Sequence, residues 1–275
     1  MPFRDILVAL NSYPDPTPVS AVDDAVAVAA ALGAHLAAIS CETRVEVPVR
    51  FISPPVVSEI LAGEAAKSRK SVGELLAAFG AAAKKAGILH ETILEKCLTL
   101  EIPDLLVDYA RLRDLTILPA SSDLWFAEAL IFGSGRPTLI LPVSLKRRPF
   151  QLGTVAIAWD FSRAAARAIS DAMPILEQAK QVRIVTVINE KVLDSKHSGA
   201  ELAKNLSRHG LDVVLDQVDA GGSAIGEVLE SYTSSQGADL LVMGAYGHSK
   251  WREFVLGGAT RSLLSQPPLP ILLSH

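Results

Sequence analysis

Only two of the 275 residues are cysteine, Cys41 and Cys97. That excludes a disulfide framework and any CxxC motif. His35, His90, His197, His209 and His275 are scattered, with no His-x3-His spacing to hold a metal. Neither sign of charge dominates. The 26 basic and 30 acidic residues leave a formal net charge of −4, which excludes a global pull toward nucleic acid or anionic lipid. Lys146-Arg147-Arg148 is the one notable basic cluster and reads as a solvated linker. Long hydrophobic runs are also missing. The longest apolar stretch, around residues 25–40, is alanine-rich and broken by Gly33 and His35, too short to span a bilayer. No secretory leader precedes the first strand-like run, Ile6–Leu10. The expectation is a cytoplasmic protein with no membrane or nucleic-acid partner. A nucleophile elbow and a Walker loop are absent as well.

What the chain has in quantity is apolar residues, 49% of the total, enough for a sizeable core in two domains of ordinary size. Short β-rich runs alternate with longer helical ones, and the pattern is written twice. In the first copy the periodicity predicts strands at Ile6–Leu10, His35–Cys41, His90–Cys97, Leu115–Leu118 and Thr138–Leu141. Helices are predicted over Ser20–Leu32 (capped by Ser20 and ended by Gly33), Ser58–Ala86 and Pro103–Leu112. The second copy restarts at Thr154. Its strands are predicted at Val155–Trp159, Val182–Asn189, Asp212–Val218, Asp239–Met243 and Pro270–Leu273, with helices over Arg163–Leu176, Ser198–His209 and Ile225–Ser235. Apolar strands alternating with helices imply parallel sheets covered on both faces. Local matches support the repeat: 113–118 with 238–243, 136–142 with 269–274, and Phe132-Gly133-Ser134 with Leu256-Gly257-Gly258. The fold class is therefore α/β, as two tandem doubly wound, Rossmann-like domains, 1–142 and 154–275, joined by a linker over 143–153.

The most informative stretch lies where the strand Asp239–Met243 runs out. Gly244, Gly247 and Gly257 follow with two and nine residues between them, ahead of a helix-like run from Thr260 to Leu264. A strand, a glycine loop and a helix start make an anion cradle. Glycine admits close backbone approach, and the first turn of a helix has unpaired N–H donors.

With Trp159-Asp160-Phe161-Ser162, Asp219-Ala220-Gly221-Gly222-Ser223, the Gly-x2-Gly-x9-Gly spacing and Pro268-Leu269-Pro270, the second half resembles the universal stress protein family. The whole chain looks like a tandem member, with an adenine nucleotide alpha hydrolase-like fold. The resemblance implies ATP, with or without Mg, at the C-terminal ends of the strands, and no redox cofactor. Carried over position by position, it places Gly244, Gly247, Gly257 and Thr260 around the phosphates and ribose. Asp160 and Ser162 fall near the adenosine, Val187 beside the adenine and His248 within the loop. Gly258 departs from the family pattern, since Ser or Thr is usual there. The lost hydroxyl is worth roughly 1.5–3 kcal/mol. The first half departs further. It leaves its fourth strand as Leu118-Pro119-Ala120-Ser121-Ser122-Asp123. Pro119 has no N–H to offer and Asp123 repels phosphate. Only Gly133-Ser134 looks like a remnant of the loop, and the half reads as degenerate.

Other residues keep open alternatives. Lys250 and Arg252, like His248, either neutralise phosphate or belong to a solvated loop. Arg163 opens a helix at its positive end, an unfavourable place for a cation unless a phosphate is near. Cys41 and Cys97 end the second and third strands of the first half, which the resemblance implies are neighbours, and are two small buried hydrophobes or a redox pair. The apolar, proline-rich stretch 42–57 covers an interface or packs on its own domain. A lone Asp160 without a metal partner argues against efficient hydrolysis, and the Ser-Gly-Gly-x-Asp-Ser pyrophosphatase loop is missing. The leading expectation is an ATP-binding stress-response sensor or regulator with one nucleotide, in the second half. The alternatives are a ligand-free interaction module and a slow ATPase. The last strands of the two halves, 138–141 and 270–273, are expected to pair within the chain, with homodimerisation an open question.

Overall fold

In the computed structural model, residues 2–44, 54–121, 123–143, 150–188, 198–245 and 263–275 are described. The first half runs β1 (Asp5–Leu10), α1 (Val19–Leu32), β2 (His35–Arg44), α2 (Pro54–Ala86), β3 (His90–Leu98), α3 (Ile102–Arg111), β4 (Leu115–Pro119), α4 (Trp125–Gly133) and β5 (Thr138–Leu141). The second runs β6 (Thr154–Ala158), α5 (Arg163–Leu176), β7 (Gln181–Ile188), α6 (Ser198–Arg208), β8 (Val213–Asp219), α7 (Ile225–Ser235), β9 (Leu240–Gly244) and β10 (Ile271–Ser274).

The ten strands among the described residues form one sheet, in the order β3-β2-β1-β4-β5-β10-β9-β6-β7-β8. Neighbours within each half are parallel. The seam is antiparallel, with Ile271 opposite Ile140, Leu272 opposite Leu139 and Leu273 opposite Thr138. The expected pairing of the last strands is therefore present, and it explains why both are apolar: each covers the other's edge. The outermost strands β3 and β8 are partly exposed and carry charges, Glu91, Glu95 and Lys96 on one and Asp216 and Asp219 on the other. Charge on an edge discourages further pairing.

Alternation along the central strands feeds two cores. Ile6, Val8 and Leu10 of β1 meet α1, α2 and the α5 side. Leu7 and Ala9 face α3 and α4, on the same side as α7. Two-sided burial is why these strands read as nearly continuous apolar runs.

The repeat extends to single hydrogen bonds. At the base of the first half, one oxygen of Asp114 accepts from Arg4 N (2.8 Å) and Asp5 N (3.1 Å). In the second half, one oxygen of Asp239 accepts from Gly153 N (2.9 Å) and Thr154 N (3.0 Å). Thr116 N donates to Pro137 O as Leu241 N does to Pro270 O, and Ala120 N donates to Leu141 O as Ala245 N does to Ser274 O.

Three local readings are corrected. Helix α1 begins at Val19, one residue before Ser20, and its N-cap, Pro18, supplies no side-chain bond. The C-cap is as expected, since Gly33 adopts φ 63°. Helix α4 was not anticipated. Finally, Gly133 is no remnant of a phosphate loop. It ends α4, and a Cβ there would sit 3.1 Å from a Val107 methyl on α3. Ser134 Oγ donates to Leu130 O at 2.6 Å, closing the helix end. Counting back from the equivalent prolines 137 and 270 pairs Leu130-Ile131 with Leu263-Leu264, which are helical and buried in both cases. The shortening of the first half thus falls on the loop after β4, not on the helix that follows.

Candidate functional site

The strand order sets where a ligand can enter. From β6 the chain crosses to β7 on one side, while β9 lies on the other. The C-terminal ends of β6 and β9 therefore flank a topological switch point, the place where open α/β sheets bind ligands. Ala158 pairs with Met243, so Asp160 and Gly244 lie just beyond the last paired residues of the two strands.

The turn out of β6 is tightly built. Asp160 Oδ1 accepts from Ser162 N at 3.0 Å. Ser162, itself 5% exposed, caps α5 by accepting from Ala165 N at 3.0 Å. An Asp two residues ahead of a Ser N-cap satisfies the backbone locally. Between them Phe161 takes φ 63°, the only described non-glycine residue with positive φ. Its ring is 58% exposed and meets Trp159 edge-on, with centroids 5.9 Å apart. A left-handed conformation costs a bulky residue roughly 1–2 kcal/mol, and such strain is typical of ligand clamps. Sequence reasoning missed Phe161 as a site residue. The available signal was a bulky residue held between an Asx turn and a cap.

Val187 lies near the end of β7 opposite Val218 of β8. It is half-buried, with Ala158, Val218 and Ile225 on the same face of the sheet. After β8, Gly221 and Gly222 take φ 57° and 84°, and Asp219 Oδ1 accepts from Gly221 N at 2.9 Å. A Cβ on either glycine would meet open space, so the turn conformation demands them.

Gly244 has a different reason to be glycine. A Cβ there would lie 2.3 Å from Ala165 N and 2.4 Å from the Ala164 carbonyl carbon. The start of α5 rests directly on it, so packing between β9 and α5 already requires glycine. The structure thus brings together Asp160, Ser162, Val187 and Gly244 at the C-terminal ends of β6, β7 and β9. Gly247, His248, Gly257, Gly258 and Thr260 lie outside the described residues, as do 45–53 and 144–149. Among the described residues there is no cluster of three or more His, Cys, Asp or Glu arranged for a metal, and no helix is long and apolar enough to cross a membrane.

Residues 152–275 match the family model for the universal stress protein family. Over those residues the chain is similar to that family. Among solved structures, a universal stress protein from Archaeoglobus fulgidus DSM 4304 is similar over 98% of this chain and 95% of its own, with TM-score 0.72 and 14% identity. A putative universal stress protein from Pseudomonas aeruginosa UCBPP-PA14 is similar over 99% and 93%, with TM-score 0.57 and 16% identity. At such identities the likeness establishes the fold, and it does so across both halves of the chain. No curated protein matches the sequence.

On the first half, burial pushes the Cys41 thiol up, and the neighbouring Cys97 adds to the effect. Burial likewise raises Cys97. Both are free thiols and are protonated at neutral pH, which makes them poor nucleophiles.

Proposed function

We propose that the second half binds one adenine nucleotide, ATP by preference, and that the protein is a cytoplasmic stress-response regulator or sensor rather than an efficient catalyst. The observation that carries this reading is the placement of Asp160 and Gly244 on the two sides of the β6–β9 switch point, in a half that is similar to the universal stress protein family and whose Gly-x2-Gly-x9-Gly stretch leaves β9 at that point. The described residues fit the adenosine end. Asp160 keeps a carboxylate oxygen beyond the one bound to Ser162 N, and Ala158, Val187 and Val218 give an apolar bed at the strand ends. The phosphate end falls to Gly247, Gly257, Gly258 and Thr260. On this reading 1–142 is a degenerate domain, 143–153 a linker and 154–275 the nucleotide domain.

Titration calorimetry with ATP tests the proposal. Asp160→Ala weakens binding by about tenfold or more, the loss of a charge-assisted hydrogen bond. Asp160→Asn, which retains an acceptor for Ser162 N, separates that loss from collapse of the turn. Gly258→Ser restores the missing hydroxyl and tightens binding by about tenfold. Wild-type protein that takes up no ATP, with a folded spectrum, overturns the reading in favour of an interaction module.

A further inference from the structure

The first half has its own switch point, between β1 and β4, and a cavity of about 270 Å³ lies there. We propose that this cavity is a second binding site, for a small apolar amine without phosphate. The proposal stands independently of nucleotide binding by the second half.

Three features define what it would hold. The size falls just below the range of ligand pockets, about 300–1,000 Å³, and so suits a small molecule. The inner walls are apolar, with Ile39, Ile102, Leu106, Leu118 and Ile140 among them, and all five side chains are buried. Polar side chains also line it, and several of their donors are already committed. Ser40 Oγ donates to Leu10 O at 2.9 Å, Ser12 Oγ donates to Cys41 O, and Asn11 Nδ2 donates to Asp15 O at 2.9 Å. Asn11 N donates to Thr17 Oγ1, and Ala120 N donates to Leu141 O. Pro16, Pro18 and Pro119 on the lining have no N–H at all. Among the described residues no Lys, Arg or His lines the cavity, whereas Asp15 and Asp123 do, and both are exposed at its rim.

An anion entering this site would lose hydration and meet two rim carboxylates, with no cation among the described lining residues. A molecule with an apolar body and an ammonium end satisfies both surfaces: burial of the body supplies affinity, and the rim carboxylates attract the charge. The second half contributes as well. Leu264, which follows the segment after β9, completes the lining, so the cavity is whole only when β5 and β10 are paired.

The test uses the intact protein and two probes of like shape and opposite charge, 1-naphthylmethylamine and 1-naphthyl phosphate, titrated by calorimetry. The amine should bind at one site per chain, and about tenfold more tightly than the phosphate. Ala120→Leu narrows the half-buried part of the lining and should weaken the amine by about tenfold. Ala127→Leu, on α4, provides a second narrowing variant, and melting curves identify any variant that has failed to fold. Asp15→Asn with Asp123→Asn should reduce the preference for the amine by about threefold, the size of rim-charge effects. Asp160→Ala should leave amine binding unchanged even where it weakens ATP. Equal or tighter binding of the phosphate overturns the proposal. So does amine binding that neither narrowing variant disturbs in folded protein, or an absence of amine binding altogether.

Discussion

Asp114 and Asp239 stand at equivalent positions and make the same two backbone contacts, whereas Gly244 could not take a side chain such as its equivalent, Pro119, carries. The difference lies in the preceding connection. Four residues, 159–162, join β6 to α5, and the Asx turn and Ser162 cap draw the helix start onto Gly244. In the first half, residues 11–18 join β1 to α1, a longer connection containing three prolines, and the cavity opens beside Pro119. The base of the fold is shared because any parallel strand pair there needs its exposed N–H groups satisfied. The top diverges because loop length decides how close helix and strand approach. Gly244 is therefore a packing glycine as well as part of a sequence motif, and the two roles must be tested apart.

The comparison is broken most forcefully at that pair. Gly244→Val drives a side chain into the α5 backbone and should cost about 3 kcal/mol or more, read as a lower urea midpoint. Pro119→Gly should cost less than about 1 kcal/mol. Equal losses would show that the halves are packed alike. Loss of ATP binding by Gly244→Val says nothing about phosphate contact, which is why Asp160 and Gly258 are the better probes.

The shared base comes next. Asp114→Ala and Asp239→Ala each remove a carboxylate holding two backbone N–H groups, and each should cost about 2 kcal/mol in the same denaturation assay. Unequal losses would mean that the repeat is geometric but not energetic. At the turn out of β6, Phe161→Asn removes an aromatic contact and relieves left-handed strain. These terms oppose each other at about 1 kcal/mol each, so the melting temperature should barely move. A large loss would show that Phe161 is structural.

The smallest effect concerns the ion pairs that Glu42 makes at the β2–β3 edge. Arg69, by hydrogen bond and charge, and Lys96 by charge, hold the Glu42 carboxyl below its ordinary range against a small burial penalty. A depressed folded pKa stabilises above the unfolded value, near 4.3, and that contribution is lost as pH falls through the folded one. Glu42→Gln should lower stability slightly at pH 7 and not at all at strongly acidic pH, measured by urea titration at both.

Much of this was legible in the chain. The strands, the crossover helices and their doubling follow from apolar runs and from the repeat, and the pairing of 138–141 with 270–273 from the family resemblance. So does the position of Asp160 beyond a strand end. Helix α4 was not legible. Its run Trp125–Gly133 is apolar nearly all round, with Leu130 and Ile131 buried but Trp125 and Phe132 each 38% exposed, so no helical stripe stands out. The misreading of Gly133 followed from that omission. The left-handed turn at Phe161 was hidden because nothing in its residue type announces positive φ.

Periodicity and glycine spacing by themselves determined that this chain is two α/β halves with a phosphate-loop pattern in only one. Those signals are local, written in which side chains can share a face. Tertiary structure alone decided that Gly244 is pressed by α5, that Gly133 ends a helix, and that the half without the loop holds a cavity closed by Leu264 of the other. These depend on how far elements distant in sequence approach one another, which is set by loop length and the antiparallel seam rather than by any residue's own preference.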